Sequence, residues 1–242
     1  TIATMEKALK QLGFTAAEDI LAGDRGLLGA MTPDNHPEAL TRALSWENCA
    51  LLTNSLKPYA CCRHTHAADY CAQLLRGEHR LEPEHRIVDH TYQVAVNTVD
   101  NPEPSTPYGY KFSGQYCTAA MLVYGHLGES AFTPEATSDP RVRRLMDKIT
   151  LVCDPELEAS YQADRNRWAH RLEVTLEDGR VLTRQVEYPY GDFNNPFTWA
   201  YEHEKFHTLA DGVLGPDRVA ALVERLPHLE ELDDINRLFE GL

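Results

Sequence analysis

The chain has 242 residues, 43% hydrophobic and 25% charged, the make-up of an ordinary globular protein long enough to bury a large core without disulfide or metal support. A formal net charge of −14, from 23 Lys and Arg against 37 Asp and Glu, argues against nucleic acid, and no apolar run approaches the roughly 20 residues that span a bilayer. The six cysteines lack the regular spacing of a disulfide framework and no secretory signal precedes them, so a reducing cytoplasm is expected.

The chain opens at Thr1 in helix-like sequence, "TIATMEKALKQLGF", as a processed or partial product would, and Leu9, Leu12 and Gly13 close that amphipathic helix. Gly23, Gly26, Gly29, Pro33 and Pro37 then predict a loop-rich connection. A helix over 67–76 ends at Gly77, and "RIVDHTYQVAV" alternates as a strand does. "NPEPSTPYGY", with three prolines, is irregular and leads into "FSGQYCTAAMLVYG", whose small and apolar residues at helical spacing predict a buried helix. In "DPRVRRLMDKI" an Asp cap and a Pro at the first helical position predict a helix from Pro140, followed by the strand "ITLVC". "HRLEVTLEDGRVLTRQVEY" alternates on both sides of Asp178-Gly179 and predicts a β-hairpin. After "YGDFNNPF" the chain turns helical, with Val219, Leu222, Val223 and Leu226 on one face and Leu238 near the end. The order helix, α+β middle, helix suggests an α+β domain inserted between two pieces of an all-α domain.

The segment of most chemical interest is "KPYACCRHTH", residues 57–66, which gathers a lysine, an arginine, two histidines and two cysteines in an acidic chain. Cys61, Cys62, His64 and His66 are zinc-type ligands, but four ligands within six residues do not easily surround one ion, and a second ligand cluster is not evident in the sequence, so no metal is expected. The plain alternative is a polar helix start in which Pro58 stiffens the approach and the cysteines are small buried hydrophobes. Against it, Lys and Arg at a helix N-terminus oppose the helix dipole unless an anion arrives. Arg63 offers a bidentate fork, Lys57 a point charge, the thiols a lowered pKa beside cations, and the histidines proton transfer near neutral pH.

"KPYACCRHTHAADY" resembles the Lys-x-(Tyr/Phe)-x-x-Cys-x-x-x-His segment that opens the C-terminal domain of the MmgE/PrpD family. Four further stretches agree in order: "GFTAAEDILAGDRGLLGAM", "YKFSGQYCTAAMLVYG", "DPRVRRLMDKITLVCDPEL" and "LEVTLEDGRVLTRQVEYPYGDFNNPFTWAYEHEKF". The resemblance implies an α+β fold with residues 1–55 ending a helical domain, 56–192 forming a lid domain and 193–242 returning to the helical domain. It implies catalysis without metal or organic cofactor, by proton transfer next to a carboxylate, leading to loss of water, loss of carbon dioxide or epimerisation. The chain looks like the C-terminal half of such an enzyme, so a separate N-terminal-half chain and a homodimer or heterotetramer are the implied partners, with a small di- or tricarboxylate as substrate and neither nucleic acid nor membrane.

By the same resemblance, Lys57 matches the family lysine at the mouth of the lid, and Cys62 stands where the decarboxylase branch has a histidine, which argues against decarboxylation. With His66 these are the catalytic candidates. Arg63, His64, Lys111 and Ser113 are the substrate-binding candidates, with Gln115 a weaker one, while His203 and Lys205 read as helix-packing positions. Two functions are weighed: an enzyme abstracting a proton α to a carboxylate, most simply a 2-methylcitrate-like dehydratase, and a non-catalytic subunit that completes a partner.

Overall fold

The computed structural model describes residues 11–12, 26–31, 36, 45, 47, 49–79 and 85–239. The helix expected to close at Leu9, Leu12 and Gly13 lies outside them apart from residues 11–12. Two compact units emerge, 1–53 and 54–242. In the first, a five-residue helix, α1 (Leu27–Met31), stands inside the segment expected to be loop, because "LLGAM" holds good helix formers and no proline.

The second unit is α+β, as expected. Its elements run α2 (His66–Glu78), β1 (Arg86–Thr91), α3 (Gln93–Val99), α4 (Pro107–Tyr110), α5 (Gly114–Tyr124), α6 (Pro134–Thr137), α7 (Pro140–Met146), β2 (Ile149–Cys153), α8 (Pro155–Ala163), β3 (His170–Thr175), β4 (Val181–Val186), α9 (Trp199–Leu214) and α10 (Pro216–Arg225). The strands form one four-stranded sheet in the order β2-β1-β3-β4, with β1 parallel to β2 and the other pairs antiparallel. The predicted hairpin is the β3–β4 pair, turned at Gly179 (φ 81°).

α5 is buried from Gly114 to Leu122 and packs against α2, α7 and β2, as a helix apolar on all sides must. Each fully buried apolar side chain of this kind adds about 1.5–3 kcal/mol. Its N-terminus comes so near the sheet that a Cβ on Gly114 would stand 2.9 Å from Leu151 Cδ2. The Asp-Pro start of α7 is as read, with Asp139 Oδ1 accepting from Arg141 N at 2.8 Å. The same dipeptide recurs unpredicted at Asp154-Pro155, where Asp154 accepts from Glu156 N and Leu157 N and starts α8.

Three expectations need correction. α2 runs through Gly77 to Glu78. The strand "RIVDHTYQVAV" stops at Thr91, because Tyr92, Ala95 and Val99 are the buried positions and spacings of three and four residues put them on one face of a helix, α3. Within "NPEPSTPYGY", Thr106 caps the one-turn helix α4 by accepting from Gly109 N at 3.0 Å. Toward the C-terminus, Val219, Leu222 and Leu238 are buried as read, and α9 has no buried residue. Among the described residues no helix is long and apolar enough to cross a membrane.

Candidate functional site

Residues 56–62 form a strap without regular secondary structure, held by backbone bonds to three places. Leu56 N donates to Gly191 O, Ala60 N to Leu127 O and Cys62 N to Lys111 O, each at 2.8 Å. Gly191 is required there: its φ is +88°, and a Cβ would stand 2.4 Å from Leu56 O and 2.5 Å from Phe197 Cζ. The strap ends at Cys62, whose extended backbone leads through a single 3₁₀ turn, Arg63–Thr65, into α2. That turn divides the segment, sending Lys57, Arg63 and His64 outward and Cys61, Thr65, His66 and Asp69 into the core.

On the outer side Lys57 is exposed and its ammonium has no partner among the described residues. Arg63 Nη2 pairs with Asp192 Oδ2 at 2.6 Å, and Asp192 also accepts from Ser55 Oγ at 2.9 Å and from Asn194 N at 2.9 Å. The guanidinium lies 5.1 Å from the centre of the Trp168 ring, and its Nη1 is buried with no partner among the described residues. His64 stacks on Trp168 at 4.5 Å and 14°, and its Nδ1 is 2.7 Å from the Tyr92 hydroxyl. Burial, with His170 and Arg63 nearby, lowers the His64 ring to about 4, so it is neutral at physiological pH. Burial also raises the Cys62 thiol above its ordinary value, which keeps it protonated near neutrality.

The inner side is a closed polar cluster. Thr65 Oγ1 donates to Asp69 Oδ2 at 2.7 Å, and Cys61 Sγ lies 3.6 Å from the same oxygen. Asp69 is fully buried, and burial pushes its carboxyl well above the usual range. Burial likewise raises the Cys117 thiol on α5. His66 is fully buried, with Nε2 3.3 Å from Cys61 O and Nδ1 without a partner among the described residues. Cys61, Asp69 and Cys117 bring ligand atoms within 4.8 Å of one another. Cys117 supplies the second segment that the sequence did not reveal, yet three donors fall one short of a structural zinc set.

The remaining candidates are engaged elsewhere. Lys111 pairs with Glu129 at 2.8 Å and lies 5.3 Å from the Phe132 ring centre. Ser113 caps α5, its hydroxyl donating to Asn101 O at 2.6 Å and accepting from Tyr116 N at 3.1 Å. Behind the lip, His170 bridges Asp89 Oδ1 (2.8 Å) and Thr91 Oγ1 (3.0 Å), all three buried. The structure therefore sets Lys57, Arg63 and His64 on the outer side, buries Cys62 just beneath them in the hydrophobic core, turns His66 inward and leaves Lys111 and Ser113 in bonds of their own. Sequence reasoning missed Tyr92, Trp168 and Asp192; only Asp192 left a trace, in the turn-forming "YGDFNNP".

Comparison with known proteins adds the context. The MmgE/PrpD C-terminal domain matches residues 59–228. The chain is similar to the cis-aconitate decarboxylase-like protein oryM of Aspergillus oryzae, 27% identical over 222 residues, 86% of this chain and 44% of that protein. It is also similar to the mitochondrial 2-methylcitrate dehydratase of Yarrowia lipolytica, 34% identical over 104 residues, 42% of this chain and 20% of that one. The 2-methylcitrate dehydratase of Cupriavidus necator is 35% identical over 108 residues, 43% of this chain and 22% of that one. The chain spans about half the length of the curated relatives it matches.

Proposed function

The chain belongs to the MmgE/PrpD family, and from that premise we propose that it serves a lyase that removes water from a small hydroxylated di- or tricarboxylate resembling 2-methylcitrate. The reaction begins with proton abstraction α to a carboxylate and uses no cofactor. In this reading residues 56–192 form a lid completed by the family's N-terminal half, in a homodimer or heterotetramer in the cytoplasm.

The observation that carries this reading is the segment 57–64: an exposed Lys57 ammonium without a partner among the described residues and, six residues on, an Arg63 with an unused Nη1, in a chain of net charge −14. Such a grouping suits a carboxylate and the enediolate that forms when its α-proton leaves. The Cys62 thiol, held protonated just beneath this segment and almost wholly buried, is the proton source in this reading for the departing hydroxide, with Lys57 stabilising the charge. His66, expected to be catalytic, is fully buried against the Cys61 carbonyl and can act only as a positioning residue behind this segment. Lys111 and Ser113 reach substrate only if they exchange their present bonds.

A decarboxylase is the second reading, favoured by the match over 86% of this chain to the decarboxylase-like protein. Cysteine at position 62 speaks against it. An epimerase needs the same first step, and a non-catalytic subunit needs none. The test is to co-express the chain with an N-terminal-half protein, supply 2-methylcitrate, and follow water loss by the new carbon–carbon double bond and carbon dioxide release in parallel. Arg63→Ala, combined with Asp192→Asn so that no buried carboxylate is orphaned, weakens substrate binding by on the order of 2–5 kcal/mol. An unchanged KM removes Arg63 from the site, and neither product from the assembled pair defeats the enzyme reading.

A further inference from the structure

We infer that Tyr92 is a positioning residue that holds His64 in one neutral tautomer, with Nδ1 accepting and Nε2–H free on the far edge of the ring, so that His64 serves as a hydrogen-bond donor to a substrate carboxylate and not as the base. This rests on the carboxylate reading of the lip and goes beyond it by fixing what one of its groups does.

Tyr92 is fully buried, and the one hydrogen-bond partner of its hydroxyl among the described residues is His64 Nδ1 at 2.7 Å. The phenol proton therefore goes to Nδ1, since the opposite arrangement, Nδ1–H toward the oxygen, strands a buried hydroxyl proton without an acceptor. A cationic ring creates the same conflict, and Arg63 and His170 beside it oppose a further charge. The pKa of about 4 agrees.

The ring cannot turn to escape. Trp168 stacks on it at 4.5 Å and is itself pinned by Nε1 donating to Arg165 O at 2.8 Å. Tyr92 is fixed in turn by stacking on Tyr161 at 4.2 Å. A flip of the imidazole would also trade Nδ1 for a carbon and break the bond to Tyr92. The hydrogen bond that His64 makes among the described residues uses Nδ1, which leaves Nε2 on the ring edge away from the Tyr92 hydroxyl. A neutral donor of this kind binds a carboxylate and strengthens its bond as negative charge grows in the enediolate, without having to lose a proton. The base that takes the α-proton then comes from another group.

The experiment is nitrogen-15 NMR of the full chain labelled at histidine, with the His64 signals assigned by their loss in His64→Gln. Expected is a bare Nδ1 and a protonated Nε2 at neutral pH, and a shift toward mixed tautomers in Tyr92→Phe, with the His170 signals unmoved as proof that the core is intact. A protonated Nδ1 in the native chain, or an unchanged tautomer in Tyr92→Phe, overturns the inference. Tricarballylate, a tricarboxylate with no hydroxyl to lose, is then added. A downfield shift of the Nε2–H proton supports the donor role, and a static signal at saturating ligand overturns it. Since the tautomer is read without turnover, an inactive assembled enzyme with the expected tautomer counts against the dehydratase reading alone.

Discussion

The outer and inner sides of one short turn differ in almost every physical respect. Outside, Lys57 is exposed, and Arg63, with an unused Nη1, and His64 lie against Trp168. Inside, Cys61, Thr65, His66 and Asp69 are packed into the core, where Thr65 and Cys61 converge on one Asp69 oxygen. Ten consecutive residues that look like a single chemical cluster in sequence are thus two environments. The difference teaches that charge density along a chain locates a site, while the helical turn decides which of the gathered groups can meet a ligand.

The largest effect expected falls on the strap that presents the outer side. Gly191→Ala places a Cβ against the Leu56 carbonyl at a backbone angle that L-residues resist, and costs about 3–4 kcal/mol from strain and displacement together. Urea unfolding measures it; a loss below about 1 kcal/mol means that the Gly191 loop does not hold the strap. Next is Asp192→Ala, which leaves Arg63 half-buried without its counter-charge and removes the acceptor for Ser55, at about 2 kcal/mol. An equal stability for Asp192→Ala and the native chain would show the pair to be incidental.

Much of this architecture is legible before any coordinates. The β-hairpin about Gly179, the buried α5 and the Asp139-Pro140 start of α7 follow from period, cap and turn chemistry alone. The helix α3 was hidden because "QVAVNTV" is rich in β-branched residues and continues the alternation of β1, and only burial at 92, 95 and 99 reveals its period. The lip was legible as a cluster of cations, but its partners were not. Asp192 lies 129 positions from Arg63, and Tyr92 and Trp168 reach His64 only because β1 and β3 are neighbours in the sheet. His66 was grouped with Arg63 by proximity in sequence, and the 3₁₀ turn separates them.

Acidity separates one group of each side further, because His64 and Asp69 titrate with opposite sign. The His64 ring is lowered to about 4 in the fold, against about 6.5 unfolded, so the unfolded chain binds the extra proton between those values. Its contribution is complete above about pH 6.5 and is lost as pH falls toward 4, by about 1–2 kcal/mol once solvent screening of a partly exposed ring is allowed for. His64→Gln flattens that limb of a urea-midpoint curve, and an unchanged limb removes His64 as its source. Asp69 works the other way. Burial raises its carboxyl, so above about pH 4 the fold retains a proton that the unfolded chain has released, and stability drains as pH rises.

Asp69→Asn is the smallest change expected and the most discriminating. The amide keeps an oxygen for Thr65 and Cys61 to donate to and has no proton to lose, so the net change at neutral pH stays within about 1 kcal/mol. The sign is what matters: the variant must gain on the native chain as pH climbs from 4 to 8, because it lacks the titration that weakens the native core. If it instead falls behind with rising pH, Asp69 is ionised in place, and the inner side of the turn holds a charge that some buried donor must match.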